Sequence, residues 1–181
     1  MENKMENKEL YIKNVFLSRE IPNDNYLKNL PVISNLKKIK ELELTKPVTF
    51  IVGENGVGKS TLVEGIAVAM GFNAEGGSIN FCFSTKESHS NLHEYITVGR
   101  GCRKHKDGFF LRAESFYNVA SNIDYLDKDG GGPPIISSYG GISLHEQSHG
   151  ESFMALVENR FFGNGLYILD EPEAALSPMR L

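Results

Sequence analysis

Nine residues, Gly53-Glu54-Asn55-Gly56-Val57-Gly58-Lys59-Ser60-Thr61, limit what this chain can fold into more than any other stretch. They fit G-x-x-x-x-G-K-[ST], a glycine loop whose backbone N–H groups converge on a phosphate. Residues 48–52 ahead of them are a continuous apolar, β-branched run, which predicts a buried strand. Behind them Leu62, Val63, Ile66, Ala67 and Met70 recur at helical spacing and predict one apolar stripe. Strand, loop and helix in that order bring the partial positive charge of a helix N-terminus to the anion. Gly53, Gly56 and Gly58 let the backbone wrap, Lys59 is placed to reach β- and γ-phosphates, and the Ser60 hydroxyl to ligate Mg²⁺. A glycine-rich turn before an ordinary helix is the bland alternative.

A second constellation stands near the other end. Residues 166–169 are apolar and run into Asp170 and Glu171, with Gly163-Asn164-Gly165 marking the start, which predicts a buried parallel strand. Ligands of such sheets sit at the carboxyl ends of the strands. Asp170 is therefore expected to hold the Mg²⁺ through water, and Glu171 to take the proton from an attacking water. The same two acids at a strand end could be a polar turn before Pro172. Upstream, Ser148-His149-Gly150-Glu151-Ser152 precedes Phe153, Leu156, Val157 and Phe161 at helical spacing, a helix start suited to an anion.

Charge narrows the partners. The net charge of -4 offers no general attraction to nucleic acid or anionic membrane. No apolar run approaches the roughly 18 residues that span a bilayer, and no apolar signal core opens the chain, so a cytoplasmic protein is expected. Cys82 and Cys102 make no disulfide framework and are expected as reduced thiols.

The remaining elements follow from pattern. Residues 1–8 repeat Met-Glu-Asn-Lys and are expected as a disordered tail ahead of one domain over 9–181. Strands are expected at 11–17, 39–44, 79–83, 95–98 and 109–112, and a helix at 115–126. Residues 99–108 then form a basic hairpin tip carrying Arg100, Arg103, Lys104 and Lys106, which reads as a solvated loop rather than a polynucleotide contact. Residues 127–134 (Asp-Lys-Asp-Gly-Gly-Gly-Pro-Pro) and 137–141 read as mobile segments flanking Ile135 and Ile136. Tyr11 and Tyr26 are candidates to stack on an adenine, with packing the commoner role for aromatic rings in such positions.

Three motifs taken together carry a resemblance. G-E-N-G-V-G-K-S-T, S-H-G-E-S and L-Y-I-L-D-E-P-E-A-A-L-S, in that order, are similar to those of ABC-type ATPases, most of all the small soluble AAA-family ATPases of the wider AAA-ABC group. The resemblance spans 11–181 and implies an α/β P-loop NTPase fold: a mostly parallel sheet, an antiparallel N-terminal β portion and a small helical insert over about 115–162. It implies ATP and Mg²⁺ as cofactors and an ATP-dependent homodimer, with Ser148, Gly150 and Glu151 contacting the γ-phosphate held by a second subunit. Residues 174–177 match the D-loop, Ser177 standing where aspartate is usual. Glu114 is the nearest equivalent of the Q-loop glutamine and joins Ser60 and Asp170 as a metal-site candidate. A γ-phosphate-sensing histidine is expected on a strand beyond Leu181, so the chain as given is expected to turn over slowly. The interval from Lys59 to Asp170 leaves no room for a long coiled-coil insertion.

The function expected is ATP hydrolysis with Mg²⁺ by a nucleotide-sandwich dimer. A nucleotide-gated interaction module with negligible turnover and the ATPase subunit of a transporter are the alternatives. No N-K-x-D segment follows the loop, which disfavours guanine nucleotides. One rival pattern remains. His145-Glu146-Gln147-Ser148-His149 is literally H-E-x-x-H, and on one helix it would bind Zn²⁺ with Glu146 as base. Gly140-Gly141 before it and Gly150 after it argue that a helix starts there instead of passing through.

Overall fold

Ile12–Leu17 (β1) buries Ile12 and Val15, three residues apart, with the pairing register shifting between Ile12 and Asn14, and serves as the middle of a sheet. This computed structural model describes residues 10–80, 89–113, 116–129 and 134–175, which form two compact units. The first is built from 10–71 and 89–105. In it Leu42–Glu43 (β2) and Ile96–Arg100 (β4) pair antiparallel with β1 on either side, Val15 opposite both Leu42 and Val98. Pro31–Ile39 (α1) starts with proline at its first position, where the missing N–H costs nothing, and buries Ile33 and Leu36. Lys59–Ala69 (α2) buries Leu62, Ile66 and Ala67, and Met70 just past its end is buried too. Arg100 donates to the Ala69 carbonyl at 3.2 Å, a cation on the open carbonyls of the last turn of α2.

The second unit comprises the described residues of 72–80 and 106–175. Gly77–Ser78 (β3) pairs antiparallel with Asp107–Arg112 (β5), and β5 pairs parallel with Gly165–Asp170 (β6) in unbroken register from Asp107–Gly165 to Arg112–Asp170. Phe116–Asp129 (α3) and His149–Arg160 (α4) supply Phe116, Val119, Ile123, Phe153 and Leu156 to a core shared with Phe109, Leu111, Tyr139 and Leu144. Gly108 lies against Phe72, where a Cβ would stand 2.7 Å from the ring, so β5 has glycine there for close packing.

The architecture is mixed α/β, with parallel pairing confined to β5 and β6 among the described residues. Several expectations change. Residues 48–52 form no strand: Phe50 is 84% and Val52 86% exposed. An apolar run becomes a strand only where another strand satisfies its N–H and C=O groups, and none of the described strands pairs with this one. The strand expected at 39–44 shrinks to Leu42–Glu43 because Ile39 closes α1. The strand expected at 79–83 is instead a short pairing at 77–78 followed by a turn at 79–80, and 81–83 lie outside the described residues. Residues 99–108 are no hairpin tip, since β4 pairs with β1 and β5 with β3 and β6. The break expected at 127–134 does not begin at Asp127, for α3 continues to Asp129, and 130–133 lie outside the described residues. The 137–141 segment is largely a short 3-10 helix, Ile135–Tyr139, with Tyr139 buried. Among the described residues no helix is long and apolar enough to cross a membrane.

Candidate functional site

The glycine loop lies in the first unit and closes upon its own lysine. Lys59 Nζ donates to the carbonyl oxygens of Gly53 and Glu54, both at 2.8 Å. The ammonium is thereby held over the loop at the start of an eleven-residue helix. Gly56 and Gly58 take left-handed backbone, φ 79° and 95°, and Gly58 is the N-cap of α2. Residues 53–56 are exposed, whereas Val57, Gly58, Lys59, Ser60 and Thr61 are half-buried. Backbone N–H groups at a helix start, a fixed ammonium and a neighbouring hydroxyl are the donor set that an oligophosphate with a divalent cation requires.

The support of the loop comes from outside its motif. The Val32 N–H of α1 donates to the Val57 carbonyl at 3.0 Å. A Cβ on Gly58 would stand 2.7 Å from Val32 Cγ1 and 3.3 Å from Leu30 Cδ1. The start of α1 is therefore the wall against which the loop rests. This helix is not among the elements expected from sequence, although proline at the first helical position with Ile33 and Leu36 three apart is a signal for one.

Asp170 and Glu171 lie in the second unit, at the carboxyl end of the parallel pair. Asp170 is buried, and its carboxylate stands 3.8 Å from Nε of Arg112, its register partner on β5. Glu171 is exposed and has φ 54°, a left-handed conformation unusual for a residue with a Cβ, and its carbonyl accepts the Ala174 N–H at 3.0 Å. Backbone strain of this kind collects where a side chain must be aimed.

Ser148 is the N-cap of α4. Its hydroxyl accepts the Glu151 N–H at 3.4 Å, while the Glu151 carboxylate accepts the Ser148 N–H at 3.0 Å and the Ser148 O–H at 2.5 Å. This is a capping box, so Glu151 shapes the helix start, and Gly150 lies within its first turn. The H-E-x-x-H stretch does not sit on one helix. His145 belongs to the short 3-10 turn Leu144–Glu146, Gln147 is extended, and α4 begins only at His149. His145 Nε2 is 2.9 Å from Ser121 Oγ and its ring contacts Tyr117, while His149 meets Phe116 edge-on. Among the described residues no cluster of three or more His, Cys, Asp or Glu can hold a metal ion.

The remaining candidates are spread out. Tyr11 is half-buried with its ring edge-on to His105, and Tyr26 is exposed on the turn Tyr26–Asn29. Cys102 is exposed. Glu114, Cys82, Ser177 and the tail 1–8 lie outside the described residues.

The profile of the AAA domain family matches residues 27–131, more than half of the chain and inclusive of the whole glycine loop. The chain belongs to the AAA domain family. Membership points to nucleotide binding and to ATPase activity. No curated protein and no solved structure matches the chain.

Proposed function

We propose that the chain binds ATP with Mg²⁺ and hydrolyses it as an ABC-type nucleotide-sandwich dimer on a P-loop NTPase fold. The observation that carries this reading is the glycine loop folded around Lys59 at the N-terminus of α2. In it Gly53, Glu54, Asn55, Gly56, Val57, Gly58 and Thr61 line the phosphates, and Lys59 exchanges its two carbonyl partners for phosphate oxygens. The Ser60 hydroxyl and the Asp170 carboxylate are hard oxygen donors of the type Mg²⁺ takes, and Glu114 is the third candidate. The ion would neutralise charge on the β- and γ-phosphates when bound. Glu171 accepts the proton of the attacking water, an assignment supported by its strained backbone at a strand end. Ser148 and Gly150, at the capped start of α4, meet the γ-phosphate of a second subunit, and Glu151 holds that start in shape.

Lys59→Ala tests the reading, because it removes the cation held at the loop. Turnover should fall by at least about 100-fold and nucleotide affinity should weaken, with the melting temperature little changed. Undiminished turnover in a folded Lys59→Ala protein would sink the assignment. Tight binding by the unmodified protein without turnover would favour the nucleotide-gated module instead.

A further inference from the structure

The helix that carries Lys59 and Ser60 is buried beyond its apolar stripe. Glu64 is only 4% exposed, and Gly65 beside it is buried as well. Oε1 of Glu64 accepts the backbone N–H of Ser90 at 2.7 Å in a buried setting. Ser90 Oγ accepts the Leu92 N–H at 3.4 Å. Leu92 is fully buried and approaches α2 so closely that a Cβ on Gly65 would lie 3.1 Å from its side chain. Glu64 and Gly65 are thus the line along which α2 meets the turn Leu92–Glu94 that leads into β4.

A carboxylate in such a place is costly unless its acceptors are used, and a leucine would cover the same surface without that cost. What the carboxylate adds is direction. Apolar contact resists separation but tolerates sliding and rotation, whereas a buried hydrogen bond fixes both within narrow limits. Glu64 follows Ser60 by four residues, so the two share one face of α2 and turn together. Resting on the nucleotide-binding reading above, we propose that Glu64 is a positioning residue of the phosphate site: through Ser90 it sets the rotation of α2, and hence the aim of Ser60 and Lys59. By linkage, a bound nucleotide must hold the Glu64–Ser90 bond more firmly in return.

The test measures binding of a non-hydrolysable ATP analogue with Mg²⁺ to Glu64→Ala, Glu64→Asp and Glu64→Gln, alongside Ser90 amide exchange in the unmodified protein. The alanine variant lacks the acceptor and the aspartate variant is one methylene too short, so both should lose affinity by about tenfold, the loss of one buried hydrogen bond. Glutamine retains a carbonyl acceptor and should bind within about threefold of the unmodified chain. Ser90 exchange should slow when the analogue is added. Unchanged affinity in the alanine and aspartate variants, with only the melting temperature lowered, would show an ordinary core residue and overturn the proposal. If the alanine variant fails to fold, the aspartate variant and the Ser90 amide decide, and exchange insensitive to the analogue overturns it. No binding by the unmodified protein rejects the nucleotide reading itself, an outcome distinct from binding that ignores Glu64.

Discussion

At the scale of the residue, two glycines of one loop are required for different reasons. Gly56 needs only its backbone freedom: φ is 79° and a Cβ there would meet nothing within 4 Å. Gly58 needs freedom and space together, with φ 95° and Val32 at 2.7 Å from a Cβ. Gly56→Ala should therefore cost about 1–2 kcal/mol, the left-handed penalty alone. Gly58→Ala should cost about 2–5 kcal/mol, because overpacking against α1 adds to that penalty. Urea unfolding of the two variants checks this, and equal losses would mean that the α1 wall yields freely. Glu171 carries the same left-handed penalty as a standing cost. Glu171→Gln leaves that cost where it is and changes only the chemistry of the carboxyl. It should keep the stability and the nucleotide affinity of the unmodified protein and lose most turnover, read from steady-state rates beside equilibrium binding.

At the scale of the element, the end of α4 is clasped to the start of the parallel pair. Arg160 Nη1 donates to Asp107 Oδ1 at 2.8 Å, and the Tyr167 hydroxyl donates to Asp107 Oδ2 at 2.9 Å. Phe161 stacks on Tyr167 with ring centres 4.3 Å apart. Burial pushes the Asp107 carboxyl up, but hydrogen bonds from Tyr167, Arg160 and the Gly108 N–H outweigh it and leave the group below its usual value. Burial and the hydrogen bond to Asp107 push the Tyr167 hydroxyl up to about 12. The signs differ. A carboxyl lowered in the folded state contributes stability above its unfolded value near 4, and that contribution is lost as pH falls below it. A phenol raised in the folded state contributes fully below about 10 and loses its contribution as pH rises from 10 to 12. Asp107→Asn should destabilise by about 1 kcal/mol at pH 7, a modest figure because the clasp is partly exposed. The gap between variant and unmodified protein should close below about pH 4. Thermal unfolding across a pH series measures it, and a gap constant from pH 3 to 7 would remove Asp107 from the account.

At the scale of the whole molecule, the proposed dimer makes the last prediction. With turnover blocked by Glu171→Gln, saturating ATP and Mg²⁺ should accumulate a dimer, detected by size exclusion with light scattering. A variant that binds ATP yet stays monomeric would remove Ser148 and Gly150 from a partner's site. The order of elements around the loop is legible in the residues themselves: the helix after Lys59 and the helix after Ser115 by helical spacing, and β1 and the strand ending at Asp170 by short runs rich in apolar residues. The capped helix start at Ser148 does so by residue type, since serine with glutamate three residues on satisfies the first N–H groups of a helix unaided. Sequence alone determined these because each depends on neighbours a few residues away. Tertiary structure decided whatever needs a distant partner. The run 48–52 has the composition of a strand but no strand beside it among the described residues, so it carries no ladder there. The strands flanking 99–108 join different sheets, because pairing is chosen by edges and not by proximity along the chain. The burial of Glu64 has no local signal: Ser90 and Leu92, 26 residues or more downstream, bury it and give its carboxylate an N–H to accept.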